Sequence, residues 1–229
     1  MKYPEFYEKI YAPRHEPVPA GALGKIRKRL ELERQEAVCK LLDGGEKFLD
    51  VGCGHGHLVF LATQKYREVH GTDISESRIA WNQEAARNLD GVIINFKVSD
   101  LNQGIPYEDG SFDTVTCVAS LQFLLDPYPV VSEFNRVLKK GGALIIQVVN
   151  IAYLPRRLTL LFGRFPVTAR QAGWDGGTLH YFTFSSCARL LTEKGFSIAG
   201  KANSGVLAGW RRLWPSLLAA DIIIKGIKK

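Results

Sequence analysis

The sequence predicts an α/β domain built around a mostly parallel β-sheet. Between residues 45 and 150, short apolar runs alternate with amphipathic helical patterns, which is the order of βαβ units. The chain has 229 residues, of which 46% are hydrophobic, so it can bury a sizeable core without a metal or a disulfide. It shows no internal repeat and no low-complexity linker. One domain over residues 1–229 is therefore expected.

The elements are predicted in chain order. Residues 1–44 are expected to form an N-terminal cap and a helix that stops at Gly44 and Gly45. Residues 45–150 are the core of the predicted sheet. Its strands are KFLDV, EVHGTDI, VIINFKV, FDTVTCVASL and ALIIQVVN, and its helices are LVFLATQKY, ESRIAWNQEAARNL and PVVSEFNRVLKK.

The alternation of strand and helix patterns ends after Asn150. Residues 151–184 hold a basic amphipathic stretch, AYLPRRLTLLFGRF, and a glycine-rich loop, and they are expected to form an insertion or lid on the substrate side. Residues 185–229 follow as a helix, with Ser185 as its N-cap and Gly195 as its stop, and a hairpin of SIAGKAN and LAADIIIKGI. The final pair is expected to be antiparallel.

Composition excludes several classes of protein. No run approaches the roughly 20 apolar residues of a membrane span, and the N-terminus lacks the apolar segment of a secretory signal, so a cytoplasmic protein is expected. The four cysteines are scattered, which predicts reduced thiols. The net charge of +7 would attract an anionic partner, but glutamates at once follow the basic residues 25–29, as on a solvated helix face. Nucleic acid is therefore disfavoured as a partner.

The sharpest signal is FLDVGCGHGHL, residues 48–58, where an apolar strand runs into a glycine-rich turn before a helix. Glycines let the backbone turn tightly and approach a ligand closely. A dinucleotide fingerprint needs G-x-G-x-x-G, but the position of its third glycine holds His57. The pattern therefore weakens the case for NAD and, with Asp50 before it, suits a ligand without a pyrophosphate but with a charged amino-acid moiety.

Acidic residues end three successive strand patterns. Asp50 precedes the glycine turn, and Asp73 lies nineteen positions beyond Gly54, where a second-strand acid reaches a ribose diol. Asp100 ends the third pattern, where it could accept from an adenine amino group while Leu101 covers one ring face. Each acid alone is typical of a turn or helix cap, but together with the glycines they predict a nucleoside site.

The ordered set FLDVGCGHGHL, GTDIS, VSDL, SFDTVTCVASLQFLLDP and RVLKKGGALIIQV resembles the successive motifs of the class I, S-adenosylmethionine-dependent methyltransferases. The resemblance covers residues 48–150 and implies a Rossmann-like fold with a seven-stranded, mostly parallel sheet and an antiparallel C-terminal hairpin. It also implies S-adenosyl-L-methionine as the cofactor and S-adenosyl-L-homocysteine as its product. Residues 45–150 would then be the cofactor-binding core.

The resemblance assigns parts of the cofactor to particular residues. It places the methionine part near Asp50, Gly52, Cys53, Gly54 and Gly56. It places the ribose and adenine near Asp73, Ile74, Asp100 and Leu101, and the sulfonium and methyl near Ala119, Ser120 and Gln122. Many relatives carry a histidine where this chain has Phe123, which puts a role for this position as a base in doubt.

Candidates for the acceptor side lie outside these motifs. His180, after the fifth strand pattern, is a candidate general base because a histidine side chain can gain and lose a proton near neutral pH, although a structural role fits it equally well. The candidate substrate-side aromatic residues are Tyr7, Tyr11, Trp174 and Tyr181. No metal is expected, since His55 and His57 have no third ligand in view.

The resulting hypothesis is methyl transfer to a small-molecule acceptor. The chain has no N/D-P-P-Y/F/W sequence, the arrangement with which relatives methylate amino groups of nucleic-acid bases. A low-specificity resemblance to proteins of the methionine-biosynthesis W type keeps open a non-catalytic cofactor-binding subunit of a biosynthetic enzyme. The basic amphipathic stretch keeps open peripheral contact with a membrane and a lipid or quinone-like acceptor there, against a lid packed on its own domain. The acceptor atom, the pathway and the oligomeric state are left open.

Overall fold

The computed structural model describes residues 33–87, 89, 91–169, 177–205 and 210–229. Within these residues, seven segments form strands. They are β1 (Gly45–Val51), β2 (Tyr66–Asp73), β3 (Ile93–Val98), β4 (Phe112–Val118), β5 (Leu138–Val149), β6 (Phe196–Ser204) and β7 (Asp221–Lys228).

Helices fill the connections. Residues 33–39 are helical (α1) and precede the first strand. The others are α2 (His57–Ala62), α3 (Glu76–Ala86), α4 (Pro127–Val137), α5 (Leu154–Leu161), α6 (Phe184–Glu193) and α7 (Pro215–Leu218), with short 3₁₀ turns at Leu101–Gln103, Leu121–Phe123 and Trp210–Arg212. None of the helices in these described ranges is long and apolar enough to cross a membrane.

The seven strands form one sheet in the order β3-β2-β1-β4-β5-β7-β6. The pairs from β3 to β5 are parallel, and β7 is antiparallel to both β5 and β6. The predicted mostly parallel, seven-stranded sheet with an antiparallel C-terminal pair is confirmed. The strand order reverses between β1 and β4, and in open α/β sheets ligands bind at the carboxyl ends of the strands at that point.

Hydrophobic layers cover both faces of the sheet. On one, the α1 face, Val38 of α1 and Leu58 of α2 pack with Phe48, Ile145 and Ile223 of the strands. On the other, the α4 face, side chains of α4 and α6 pack against alternate residues of the same strands. Because side chains of a strand alternate between faces, each strand supplies both layers.

Helix caps fix where the helices on the α4 face begin. The Asp126 side chain accepts from the Tyr128 N–H at 2.8 Å, which starts α4. At α6 the N-cap is Thr183, whose hydroxyl accepts from the Ser186 N–H while the Ser186 hydroxyl accepts from the Thr183 N–H. The expected N-cap, Ser185, was wrong by two residues because this reciprocal capping box forms earlier. The division of the chain into residues 1–44, 45–150, 151–184 and 185–229 stays a prediction.

Candidate cofactor and acceptor site

The glycine-rich turn after β1 is held by hydrogen bonds to β2 and α3. The N–H groups of Gly52 and Cys53 both donate to the Thr72 carbonyl, at 2.7 and 2.9 Å, and the Gly54 N–H donates to Asp73 Oδ2 at 2.8 Å. The fully buried Asn82 of α3 donates its Nδ2 to the Gly54 carbonyl at 2.8 Å. The turn is therefore fixed by β2 and α3.

Only glycine fits at Gly52. Its φ is +73°, which is strained for other residues, and a Cβ there would lie 2.2 Å from the Ser120 hydroxyl oxygen. The Ser120 hydroxyl itself donates to the Gly52 carbonyl at 3.3 Å. The backbone of Gly52, after β1, thus packs directly against the Ser120 side chain, after β4. Any larger residue at position 52 would push the two strand ends apart.

A first cleft opens at the carboxyl ends of β1 to β4. It extends from the ends of β2 and β3, which each contribute one carboxylate, to the turn after β4. Apolar side chains in its lining can cover a ring. Its lining residues are Gly52, Asp73, Ile74, Arg78, Ser99, Asp100, Leu101, Asn102, Ala119, Ser120, Phe123 and Leu124. The cleft lies where the strand order reverses.

The two acids of the first cleft are held by backbone contacts. Asp73 is 7% exposed, and its Oδ1 accepts from the Ser75 N–H at 3.0 Å while its Oδ2 accepts from Gly54. Asp100 begins the 3₁₀ turn after β3, and its Oδ1 accepts from the Asn102 N–H at 3.0 Å. Asp100 also accepts from Asn102 Nδ2 and Gln103 Nε2. Because a carboxylate has about four acceptor positions, Asp73 keeps about two of them, and Asp100 about one, for hydroxyl or amino groups of a ligand.

A second cleft lies on the α1 face of the same glycine turn. It is lined by Gln35, Val38, Asp50, Gly52, Cys53, His57, Leu58 and Val118. Gly52 lines both clefts, so a ligand that passes this residue can occupy the two together. The second cleft adds one buried carboxyl, Asp50, and the imidazole of His57.

Asp50 lies in an unusual electrostatic environment. It is 3% exposed, and burial raises its pKa to about 7, with a smaller rise from the negative charge of Asp73. The Thr116 hydroxyl donates to Asp50 Oδ1 at 2.6 Å, which opposes the rise in pKa. Burial also raises the pKa of the neighbouring Cys53 thiol, which is therefore neutral and a poor nucleophile. A cation in the second cleft would favour the ionised form of Asp50.

The turn after β4 connects the first cleft to the segment before α6. Ala119 adopts a φ of +57°, and its N–H donates to the Gln147 carbonyl at 3.1 Å. Gln122 is 3% exposed and does not line either cleft; its Oε1 accepts from the Val149 N–H at 3.1 Å. Its carbonyl accepts from the N–H groups of Leu179 and His180, both at 3.0 Å. Gln122 thereby holds residues 179–180 beside the cleft.

Of the residues predicted for the acceptor side, only His180 and Tyr181 lie within the described part of the chain. His180 Nε2 lies 3.2 Å from the Leu125 carbonyl, to which it donates, so Nδ1 is the nitrogen left to accept a proton. Tyr181 packs edge-on against Phe165, with ring centroids 5.5 Å apart. Tyr7, Tyr11 and Trp174 lie outside the described residues. Within the described part of the chain, no group of three or more potential metal ligands occurs.

Sequence reasoning missed several residues of the two clefts. Arg78 enters the first cleft from α3, five positions after Asp73, and Gln35 enters the second from α1. Asn82 binds the glycine turn from the next turn of α3, and only the fold brings it there. The one available signal was that α3 starts directly after the acid, so that residues of its first turn face the cleft.

The fold and the two glycine-bordered clefts are those of a Rossmann-like domain that binds a nucleoside ligand at the carboxyl edge of its sheet. Residues 49–146 match the family described as methyltransferase domain. This match spans less than half of the chain, and it agrees with the class I, S-adenosylmethionine-dependent methyltransferase motifs that the sequence predicted.

Individual relatives are similar over parts of the chain. Over 107 residues it is 32% identical to a ubiquinone biosynthesis O-methyltransferase of Pseudomonas aeruginosa, a match covering 46% of this chain and 45% of that protein. Over 161 residues it is 27% identical to an 18S rRNA (guanine-N(7))-methyltransferase of Schizosaccharomyces pombe, covering 65% and 56%. The chain spans about half the length of the curated relatives it matches.

Solved structures share the fold over most of the chain. A magnesium protoporphyrin IX methyltransferase of Synechocystis with bound S-adenosylhomocysteine superposes with a TM-score of 0.69 and 21% identity, covering 98% of this chain and 94% of that one. At this identity the likeness shows a common fold.

The residues of the clefts fit S-adenosylmethionine. Bare backbone at Gly52 leaves room where a Cβ would collide with Ser120. Asp73 and Asp100 offer acceptors for ribose hydroxyls and an adenine amino group, and Ile74 and Leu101 offer apolar cover for the ring. The second cleft offers Asp50 to an ammonium group. This set offers partners to the adenine, the ribose and the ammonium group of the cofactor.

Proposed function

We propose that this chain transfers the methyl group of S-adenosylmethionine to a small-molecule acceptor. One observation carries the proposal: two clefts meet at Gly52, the first with Asp73 and Asp100 for a nucleoside, the second with Asp50 for an amino acid. The relatives named above support it, since each is called a methyltransferase. The proposed cofactor contacts are those implied by the motifs except Gln122, which lines neither cleft, with Arg78 and His57 added from the structure.

The bound cofactor supplies a methyl group already activated by its sulfonium. The chain has then mainly to align the acceptor and exclude water, and good alignment can contribute roughly 7 to 11 kcal/mol in ideal cases. Residues 179–180, held by Gln122, border the turn at Ser120 and Phe123 and are placed to position the acceptor. His180, oriented by the Leu125 carbonyl, is proposed to take a proton from an acceptor that must lose one.

The first expected result concerns the ligand. Isothermal titration of the purified chain is expected to show binding of S-adenosylmethionine and S-adenosylhomocysteine and no binding of NAD, because His57 stands where a dinucleotide site needs a glycine. Binding of NAD alone would contradict the proposal.

Turnover separates the enzyme from a non-catalytic subunit. The purified chain is to be incubated with S-adenosylmethionine and separate pools of small molecules and RNA, and S-adenosylhomocysteine release is to be measured. Release with the small-molecule pool supports the proposal, whereas release with RNA alone would assign the acceptor class of the yeast relative. Cofactor binding without turnover, together with a stoichiometric partner enzyme, would favour the non-catalytic subunit.

A second candidate function is methylation of an amphiphilic, quinone-like acceptor at a membrane surface. The observation that favours it is α5, in which no residue is buried. Leu161 and Phe162 are 75% and 76% exposed, and the exposed Arg157 and Arg164 lie beside them. Apolar and basic side chains together are typical of a surface that binds anionic lipid. The ubiquinone-pathway name of the Pseudomonas relative agrees with such an acceptor.

This candidate predicts binding to vesicles. The wild-type chain is expected to sediment with phosphatidylglycerol vesicles at low salt, and Leu161→Glu is expected to weaken this binding by about tenfold or more, because it removes one large apolar contact. Ile93→Glu is the matched control, since Ile93 is 59% exposed but lies on the edge strand β3, far along the sheet from β5, which α5 follows. Equal sedimentation of both variants, or none by the wild type, would dispose of the membrane candidate.

A further inference from the structure

A group of buried polar side chains lies on the α1 face, beyond the second cleft. Gln147 of β5 is fully buried, and neither its Oε1 nor its Nε2 has a hydrogen-bond partner among the described residues. Its neighbours Ile146 and Val148 pack into the α4 face, so Gln147 points to the α1 face, as Ile145 does. In the sheet Gln147 is paired with Val118, which lines the second cleft. The unpaired amide is therefore next to the cleft.

A guanidinium group lies on the same face. Arg211 is 4% exposed, and its Nη2 forms an ion pair with Glu33 of α1. Its Nε and Nη1 are buried, and the part of the chain that the structure describes offers them no hydrogen-bond acceptor. Arg211 is therefore paired with the helix that also supplies Gln35 to the second cleft. Arg34 Nε is likewise buried and has no partner among the described residues.

Buried polar groups without partners are rare in folded proteins because they destabilise the fold unless a ligand or water completes them. The unpaired atoms here are almost all donors: Arg211 Nε and Nη1, Gln147 Nε2 and Arg34 Nε. Both edges of a guanidinium group include Nη2, which in Arg211 is paired with Glu33, so its unpaired Nε and Nη1 each donate singly to a carboxylate oxygen. Gln147 Oε1 is the one unpaired acceptor among them, and it suits a hydroxyl or amino group.

We propose that Arg211 and Gln147 bind the carboxylate of the methyl acceptor, which is therefore a small carboxylic acid that carries a hydroxyl or amino group. This inference rests on the proposed function and names its substrate class. The acceptor lies between α1 and the ends of β4 and β5, with its carboxylate toward Arg211. Its nucleophile points past Val118 to the turn at Ala119 and Ser120, where the two clefts meet.

The test uses S-adenosylhomocysteine, benzoate and 4-hydroxybenzoate as probes. Titration with S-adenosylhomocysteine comes first, and its binding shows that the cofactor site of the proposed function is intact. The chain saturated with it is then titrated with the two carboxylates and with neutral benzamide. We expect the carboxylates to bind, 4-hydroxybenzoate more tightly than benzoate, and benzamide at least tenfold more weakly, since it lacks the charge.

Variants assign the binding to the two side chains. Gln147→Leu and Arg211→Leu are each expected to weaken 4-hydroxybenzoate binding roughly tenfold or more, while S-adenosylhomocysteine still binds. Arg211→Lys keeps a charge toward Glu33 but loses the planar fork, so it serves where Arg211→Leu does not fold. Arg189→Leu removes an equal charge from α6, on the α4 face, and should leave both affinities unchanged.

Other outcomes overturn the inference. Carboxylate binding that disappears when S-adenosylhomocysteine is saturating would assign the guanidinium groups to the cofactor's own carboxylate. Equal binding by Gln147→Leu, Arg211→Leu and the wild type, or no binding of either carboxylate to the S-adenosylhomocysteine complex, would show that the buried donors do not serve an acceptor. Failure of S-adenosylhomocysteine itself to bind would instead overturn the proposed function.

Discussion

Asp73→Ala is expected to weaken S-adenosylhomocysteine binding by about 100-fold or more. The carboxylate is 7% exposed at the end of β2 and lines the first cleft, where the proposed ribose hydroxyls would donate to it. Hydrogen bonds to a charged group contribute about 1.5–3 kcal/mol each, so two of them account for this factor. The variant also loses the acceptor for Gly54 and Ser75 N–H groups, so the glycine turn itself becomes less well fixed.

The structural part of this effect can be separated by a matched variant. Asp113 also accepts from two backbone N–H groups, those of Glu46 and Lys47, but it lies at the amino end of β4, away from both clefts. Asp113→Ala should therefore lower the melting temperature as Asp73→Ala does and leave ligand affinity unchanged. Calorimetry and thermal unfolding on both variants check this. Unchanged affinity in Asp73→Ala would show that the second-strand acid does not hold the ligand.

The predictable parts of the fold are those that depend on residues close together in the sequence. Alternating apolar runs and helical periods indicated the parallel sheet, because each βαβ unit is encoded within a short stretch of chain. The glycine turn was visible because its conformation depends on its own residues, as the positive φ values at Gly52, Gly54 and Gly56 show. The position of Asp73 followed from its place at the end of a strand, and the structure joins it to Gly54.

The parts that were not predictable depend on contacts between distant segments. Thr116 donates to Asp50 from 66 positions away, and burial by the assembled sheet sets the pKa of that acid. The same holds for Gln147, which in the sequence is one polar residue in an apolar strand. Only the strand order shows that it faces α1 beside Val118. At α6 the N-cap is Thr183 and not Ser185, because the side chains of Thr183 and Ser186 each accept from the other residue's backbone N–H. The sequence alone does not show which of the neighbouring hydroxyl residues forms this capping box.

The second large effect concerns Asp50 and pH. Because burial raises its pKa to about 7, the free protein holds this carboxyl mostly neutral below that pH. The proposed ammonium of the ligand favours the ionised form, so binding should release a proton near pH 7. Affinity for S-adenosylhomocysteine is therefore expected to rise with pH, by at most about tenfold per unit below pH 7, and to level off above it. Titrations from about pH 5.5 to about pH 8.5 measure the slope.

Asp50→Asn should remove this pH dependence of binding. At about pH 8 it should also weaken S-adenosylhomocysteine binding by roughly 100-fold, because it replaces a buried negative charge that faces the ligand's ammonium group. The same titrations on the variant measure both effects. A variant whose affinity still rises with pH as the wild type's does would assign the proton release to another group.

The stability of the ligand-free Asp50→Asn variant should change in the opposite direction. A carboxyl whose folded pKa is raised from 3.8 to about 7 contributes stability that is fully present below its unfolded pKa and is lost as pH rises through about 7. The asparagine stays neutral, and its Oδ1 can still accept from Thr116. The variant should therefore be more stable than the wild type at about pH 8 by a few kcal/mol, on the order of the 1.4 kcal/mol per pKa unit that linkage gives. At about pH 4 the two should be nearly equal, since both side chains are then neutral in the folded state. Chemical denaturation at both pH values checks this, and a variant less stable than the wild type at the higher pH would show that Asp50 is ionised and satisfied within the free protein.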